Sequence, residues 1–234
     1  FMLLVSPGVA AKDKKLLPKD VAFVLDTSGS MAGKKLEQAK KALSFCVENL
    51  NEGDRFEIIR FSTEVEPLFD KLVEANARNR DQAEDFVKGL KPIGGTAIDD
   101  ALKQALSLRS NRGEEALPEG GRRKAGDRPF VIIFLTDGRP TIGTSDEEQI
   151  VKNVTRLNEN RTRIFCFGIG TDVNTHLLDK ITEDTRAFSQ YVLPEEDLEV
   201  KVSTFFAKIK DPVLANPTLK FTGDVRVTKL YPAP

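Results

Sequence analysis

Val21-Ala22-Phe23-Val24-Leu25-Asp26-Thr27-Ser28-Gly29-Ser30 is the stretch on which the reading of this chain turns. Five apolar residues in a row, with no polar alternation, mark a strand covered on both faces, as in a parallel sheet. The run ends in the Asp26 carboxylate and the hydroxyls of Ser28 and Ser30 on a tight turn, and a helical pattern follows. Two other segments repeat this layout. Gly94-Gly95-Thr96 sets a hydroxyl before a helix, and Leu135-Thr136-Asp137-Gly138 sets a carboxylate after the apolar run Phe130–Leu135. An all-oxygen set of this kind suits a hard divalent cation such as Mg²⁺. Two carboxylates leave such an ion short of full coordination, so an acidic group from outside could complete it.

Further apolar runs are Phe56–Phe61, Ile164–Ile169 and Phe188–Leu193. Between the runs, apolar residues recur at helical spacing. The stripes are Leu36, Ala39, Leu43, Cys46, Val47 and Leu50; Ala97, Ile98, Ala101, Leu102, Ala105 and Leu106; Ile150, Val151, Val154 and Leu157; and Leu198, Val202, Phe205, Phe206 and Ile209. Strand alternating with helix predicts an α/β fold with a doubly wound, mostly parallel central sheet and helices on both faces. Ligands of such sheets bind at the carboxyl ends of the strands, beside the switch in strand order, which is where Asp26 and Asp137 fall. Val65–Leu72 reads as an antiparallel edge strand, since Pro67 suits an edge.

The chain ends break the alternation. Phe1–Pro7 reads as extended, and Leu219, Phe221, Val225 and Val227 fall at even spacings. The expected organisation is an N-terminal strand and linker over 1–18, the α/β domain over 19–210, and a β extension over 211–234 that pairs with the N-terminal strand. The first residue is not Met, which suggests a piece of a longer protein, expected to be monomeric as it stands.

Of the 234 residues 40% are apolar, and the formal charge is −1. That balance gives no electrostatic case for nucleic acid or an anionic membrane, and no apolar run approaches a membrane span. Cys46 and Cys166 both lie in apolar patterns and read as buried free thiols rather than a disulfide scaffold. Arg109–Pro129, with Arg122-Arg123-Lys124, reads as a solvated loop. His176, the single histidine, reads as a surface residue at a helix start. Asn153-Val154-Thr155 and Asn160-Arg161-Thr162 match the glycosylation sequon. Gly168-Ile169-Gly170 reads as strand-end punctuation rather than a phosphate loop, for want of a third glycine in place.

Asp26-Thr27-Ser28-Gly29-Ser30, Thr96 and Thr136-Asp137-Gly138 together resemble the metal-ion-dependent adhesion site of the von Willebrand factor type A family, in order, spacing and strand–loop placement. The resemblance covers Lys19 to Lys210. More narrowly, Asp54-Arg55-Phe56, Gly94-Gly95-Thr96 and Thr136-Asp137-Gly138-Arg139-Pro140-Thr141 resemble the subgroup of inter-alpha-trypsin inhibitor heavy chains and their bacterial relatives, in which the domain commonly follows a β-rich module. The resemblance implies a Rossmann-like fold and one Mg²⁺, Mn²⁺ or Ca²⁺ ion. It also implies Ser28 and Ser30 as direct ligands, Thr96 and Asp137 as direct or water-mediated ligands, and Asp26 acting mainly through water and by orienting its loop. It implies a non-enzymatic adhesion module for a protein or matrix ligand presenting Asp or Glu, in an extracellular, cell-surface or periplasmic setting. Two other readings compete. One is a structural domain whose metal only staples loops. The other is a Mg²⁺-dependent phosphotransferase, which would want a second carboxylate two residues after Asp26, where this chain has Ser28.

Overall fold

The computed structural model describes residues 17–110, 128–158 and 162–209. Strand β1 (Asp20–Asp26) leads through a short 3-10 turn (Gly29–Met31) into α1 (Lys34–Glu48). Then come β2 (Arg55–Phe61), the short β3 (Val65–Pro67) and β4 (Val73–Glu74), α2 (Ala77–Gly89) and α3 (Ile98–Ser110). The second half holds β5 (Phe130–Thr136), α4 (Glu147–Leu157), β6 (Arg163–Ile169), α5 (Thr175–Asp184), β7 (Ser189–Val192) and α6 (Leu198–Ile209). The strands form one seven-stranded sheet in the order β3-β2-β1-β5-β6-β7, with β4 also on β2. β2, β1, β5, β6 and β7 run parallel, and β3 and β4 are antiparallel to β2. The chain therefore builds outward from β1 to one side, then jumps across it to β5, so the strand order switches between β1 and β5.

Every residue of β1 and of β5 is buried, as their unbroken apolar runs require for strands sandwiched between helices. Alternate side chains serve opposite layers. Val21, Phe23 and Leu25 join Leu36, Leu43, Val202 and Phe206 on the face of α1 and α6. Ala22 and Val24 join Ile98, Leu102, Ile150, Leu177 and Ile181 on the face of α3, α4 and α5. Full burial of a side chain such as Phe23 is worth roughly 2–3 kcal/mol over exposure. A ring cluster locks α6 down: Phe205 lies 4.7 Å from Phe165 and 5.3 Å from Phe167, centroid to centroid, and Phe206 lies 6.3 Å from Phe23.

The doubly wound, mostly parallel sheet agrees with expectation, and the differences are local. Leu157 ends its helical stripe 42% exposed. In the run Phe188–Leu193 only Ser189–Val192 forms β7, while Phe188 and Leu193 flank it half-exposed, the Phe188 ring packed edgewise on Phe165 and Phe205. The stretch Val65–Leu72 is not one strand. Its middle is bent away by Glu57 of β2, whose buried carboxylate accepts from the backbone N–H groups of Phe69 and Lys71, with Asp70 between them at φ 58°. Helix α2 has no counterpart in the apolar stripes, because only Ala83 and Val87 of its thirteen residues are buried. Cys46 and Cys166 are buried free thiols, and burial pushes both thiols up. Expectations for Phe1–Pro7, the C-terminal β extension, the Arg122 cluster and Asn160 lie outside the described residues.

The amino edge of the sheet is held by ion pairs. Lys19 pairs with Asp54, both almost wholly buried. Arg55 grips Asp20 through two nitrogens, Nε at 3.1 Å and Nη2 at 3.0 Å. The opposite, carboxyl edge carries hydroxyls and carboxylates instead.

Candidate metal centre

Asp26 closes β1 with its carboxylate wholly buried. One oxygen accepts from the Ser28 backbone N–H at 2.8 Å, which folds the turn back on itself. The other accepts from Thr136 Oγ1 at 2.6 Å, from the end of β5. Burial pushes this carboxyl up to about 6; the bonds from Thr136 and Ser28 partly offset that, and the nearby charge of Asp137 adds a smaller upward push. With both oxygens engaged by protein, Asp26 sets the position of the loop.

The turn then projects hydroxyls. Ser28 Oγ and Ser30 Oγ lie 3.0 Å apart, and Ser30 Oγ donates to Asp137 Oδ1 at 2.7 Å. Thr96 enters from the loop before α3. A Cβ built on Gly138 would stand 3.6 Å from Thr96 Oγ1 and 3.8 Å from Ser30 Oγ, so both hydroxyls face the Gly138 backbone. Ser28, Thr96 and Asp137 are buried to within a few per cent, whereas Ser30 is exposed. Ser28, Ser30, Thr96 and Asp137 thus gather at the switch in strand order, with Asp26 directly beneath.

These loops hold one another through backbone bonds. Ile93 N–H donates to Thr27 O at 2.8 Å, Gly29 N–H to Gly94 O at 3.1 Å, and Ala97 N–H to Ser62 O at 2.8 Å. Thr141 adds a further tie, since its Oγ1 accepts from the Thr96 N–H at 2.9 Å and its own N–H donates to Thr96 O at 3.0 Å. Gly94 needs its hydrogen-only side: it sits at φ 74°, and a Cβ there would run into the Thr63 side chain.

The donor set fits a hard divalent ion. Among the described residues no group of three or more His, Cys, Asp or Glu could hold a metal. An ion here would therefore rest on hydroxyls plus the Asp137 carboxylate, and oxygen donors of this kind suit Mg²⁺, Ca²⁺ or Mn²⁺. A cation already stands at the carboxylate: Lys35 Nζ lies 2.5 Å from Asp137 Oδ2 and 3.3 Å from Ser30 O.

Two participants, Lys35 and Thr136, are missing from the set of candidate ligands taken from sequence. Thr136 was visible only as part of its turn. Lys35 carried a signal, since a lysine in the first turn of a helix faces the positive end of the helix dipole and calls for an anion nearby. The remaining sequence features are structural. His176 is exposed, with Nδ1 2.7 Å from Glu147 Oε2. Asn153 is almost buried, and its side-chain amide donates to Asp99 at 3.0 Å, so that sequon is committed to packing. Gly168 lies against Tyr191 and Val173, where a Cβ would come within 2.6 Å of the ring.

Comparison with known proteins agrees with this architecture. The chain is 35% identical over 209 residues to human inter-alpha-trypsin inhibitor heavy chain H4, covering 89% of this chain and 22% of that protein. Human heavy chain H3 is 32% identical over 207 residues, covering 88% of this chain and 22% of that protein. The chain thus spans about a fifth of the length of these relatives. Among solved structures, a von Willebrand factor type A protein from Catenulispora acidiphila superposes with TM-score 0.64 at 21% identity, over 83% of this chain and 42% of that one. Proximal thread matrix protein 1 from the mussel byssus, with a zinc-occupied MIDAS motif, superposes with TM-score 0.58 at 22% identity, over 83% and 45%. The family model for the von Willebrand factor type A domain matches residues 19–191, and the chain belongs to that family.

Proposed function

We propose that this domain is a cation-dependent binding module. Ser28, Ser30, Thr96 and Asp137 hold one Mg²⁺ or Mn²⁺ ion, and Asp26 orients the loop beneath it. A carboxylate from a protein or matrix partner completes the coordination. The observation that carries this reading is the meeting of four oxygen-bearing side chains from three loops at the strand-order switch, with a single carboxylate among them. One carboxylate leaves a divalent ion with net positive charge, and so with an affinity for a further anion. The zinc-occupied motif of the mussel byssus protein supports an ion at this place in the fold.

The competing readings have less support. The loops are already joined by backbone hydrogen bonds, which leaves a stapling ion little to do. Asp26 is wholly buried with both oxygens bonded, so it cannot serve as the nucleophile of a phosphotransferase. Ile93, tied to Thr27 and 63% exposed, offers an aliphatic contact at the rim for a partner residue beside the carboxylate.

The test is calorimetric titration of metal-stripped protein with Mn²⁺, followed by capture of partners in Mg²⁺ and in chelator. One binding site for Mn²⁺, and partners released by chelator, are the expected results. Absence of Mn²⁺ binding would overturn the reading.

A further inference from the structure

The side chain of Lys35 has no part in the ligand set, yet it reaches into it. Lys35 lies in the first turn of α1, where the helix dipole repels a cation. Its Nζ is nevertheless 2.5 Å from Asp137 Oδ2 and 3.3 Å from the backbone oxygen of Ser30. The arrangement is asymmetric: the Asp137 side chain is wholly buried, while that of Lys35 keeps 35% of its surface in water. Gly170, just after β6, lines the other side of the lysine's end, where a Cβ would stand in ordinary contact at 3.4 Å from Cε and 3.5 Å from Nζ. Backbone on one side and carboxylate on the other therefore form a slot for the ammonium.

We propose that Lys35 is a tethered counter-cation that competes with the divalent ion for Asp137. The inference rests on the metal-binding reading above. Without an ion, a buried carboxylate beside the buried Asp26 would carry an uncompensated charge, and the ammonium neutralises it. With a divalent ion on Asp137, the ammonium would stand next to a like charge. Lys35 must then leave its slot, and its half-exposed, flexible stem lets it swing into solvent. The lysine thereby stabilises the metal-free domain and weakens its hold on the metal by the same interaction, as linkage demands. The site would load only where divalent ions are abundant, and its loops would stay in place when it empties.

The test compares the parent with Lys35→Met, which keeps the stem and loses the charge. Metal-stripped protein is titrated with Mn²⁺ by calorimetry, and thermal unfolding is followed in chelator and in saturating Mn²⁺. Lys35→Met should bind Mn²⁺ about tenfold more tightly than the parent. It should melt lower than the parent in chelator, with the gap closing in Mn²⁺. Lys35→Arg, which keeps the charge, should return towards the parent's affinity. Equal or weaker Mn²⁺ binding by Lys35→Met, in a parent that does bind Mn²⁺, would overturn the competition alone. So would a Lys35→Arg protein as tight as Lys35→Met. No Mn²⁺ binding by either the parent or Lys35→Met would overturn the metal reading and this inference with it.

Discussion

Thr136 Oγ1 donates to Asp26 Oδ2 at 2.6 Å, joining the ends of β1 and β5, the two strands between which the sheet reverses its order. Both residues are wholly buried. The bond sets how far apart the Ser28 and Asp137 loops can stand, because each loop begins at one of the two bonded residues. Thr136→Val keeps the shape and removes the donor. It should destabilise the domain by about 1–3 kcal/mol, the cost of an unsatisfied buried acceptor, and should weaken Mn²⁺ binding. Urea unfolding and calorimetry of the same variant check both parts. Unchanged Mn²⁺ affinity would show that the loops do not depend on this bond.

Asp137→Ala removes the one carboxylate proposed to touch the ion. Mn²⁺ binding and chelator-sensitive capture of partners should both vanish, while far-ultraviolet circular dichroism keeps its α/β signature, since the core rests on the buried strands. A variant that captures partners as well as the parent would exclude the metal bridge.

The sheet was legible because β1 and β5 are apolar at almost every position, a pattern that fits a strand sandwiched between helices. The candidate oxygen donors stood out because Asp26, Ser28, Ser30 and Asp137 come at or just after the end of such a run and Thr96 comes just before a helical stripe. Three features were hidden for physical reasons. Helix α2 rests on a network of backbone acceptors for Arg80, which donates to Glu48 O at 2.8 Å, Leu50 O at 2.9 Å and Ala75 O at 3.1 Å, so it needs little apolar surface to dock. The break between β3 and β4 depends on a long-range side-chain bond from Glu57, which no local pattern displays. The pairing of Lys35 with Asp137 spans 102 positions in the chain, and periodicity says nothing about partners so far apart.

Lys19 and Asp54 form an ion pair with side chains 1% and 0% exposed. Asp54 also accepts from the backbone N–H of Lys19 and of Asn51, so it fastens the start of β1 to the turn before β2. Asp54→Ala removes the carboxylate that pairs with the buried Lys19 ammonium and accepts from two backbone amides. The expected loss is roughly 3–5 kcal/mol, read as a lower urea midpoint with an unchanged slope. Lys19→Met together with Asp54→Leu should recover much of that loss, since an apolar pair of similar volume has no desolvation cost to repay. Failure of the double variant to recover would mean that the amide bonds to Asp54, rather than the charge pair, hold this edge.

Glu57 links the sheet to pH. It is buried on β2, and its carboxylate accepts from the N–H groups of Ile58 at 2.8 Å, Phe69 at 3.0 Å and Lys71 at 2.9 Å. Burial pushes the carboxyl up to about 7, with the amide bonds only partly restoring it, against an ordinary value of 4.5. The folded protein therefore holds this proton more tightly than the unfolded chain. Stability from this group is fully present below about 4.5 and is lost as pH rises through about 7. The shift corresponds to a decline of about 3 kcal/mol across that window. Glu57→Gln cannot titrate, so its stability relative to the parent should improve steadily from pH 4.5 to pH 7. Its single acceptor oxygen should nevertheless loosen the turn at Phe69–Lys71, seen as faster amide exchange there. Urea unfolding of both proteins at intervals across the window measures the difference. A difference that stays flat with pH would show that the three amides hold Glu57 ionised throughout, and that hydrogen bonding outweighs burial at this site.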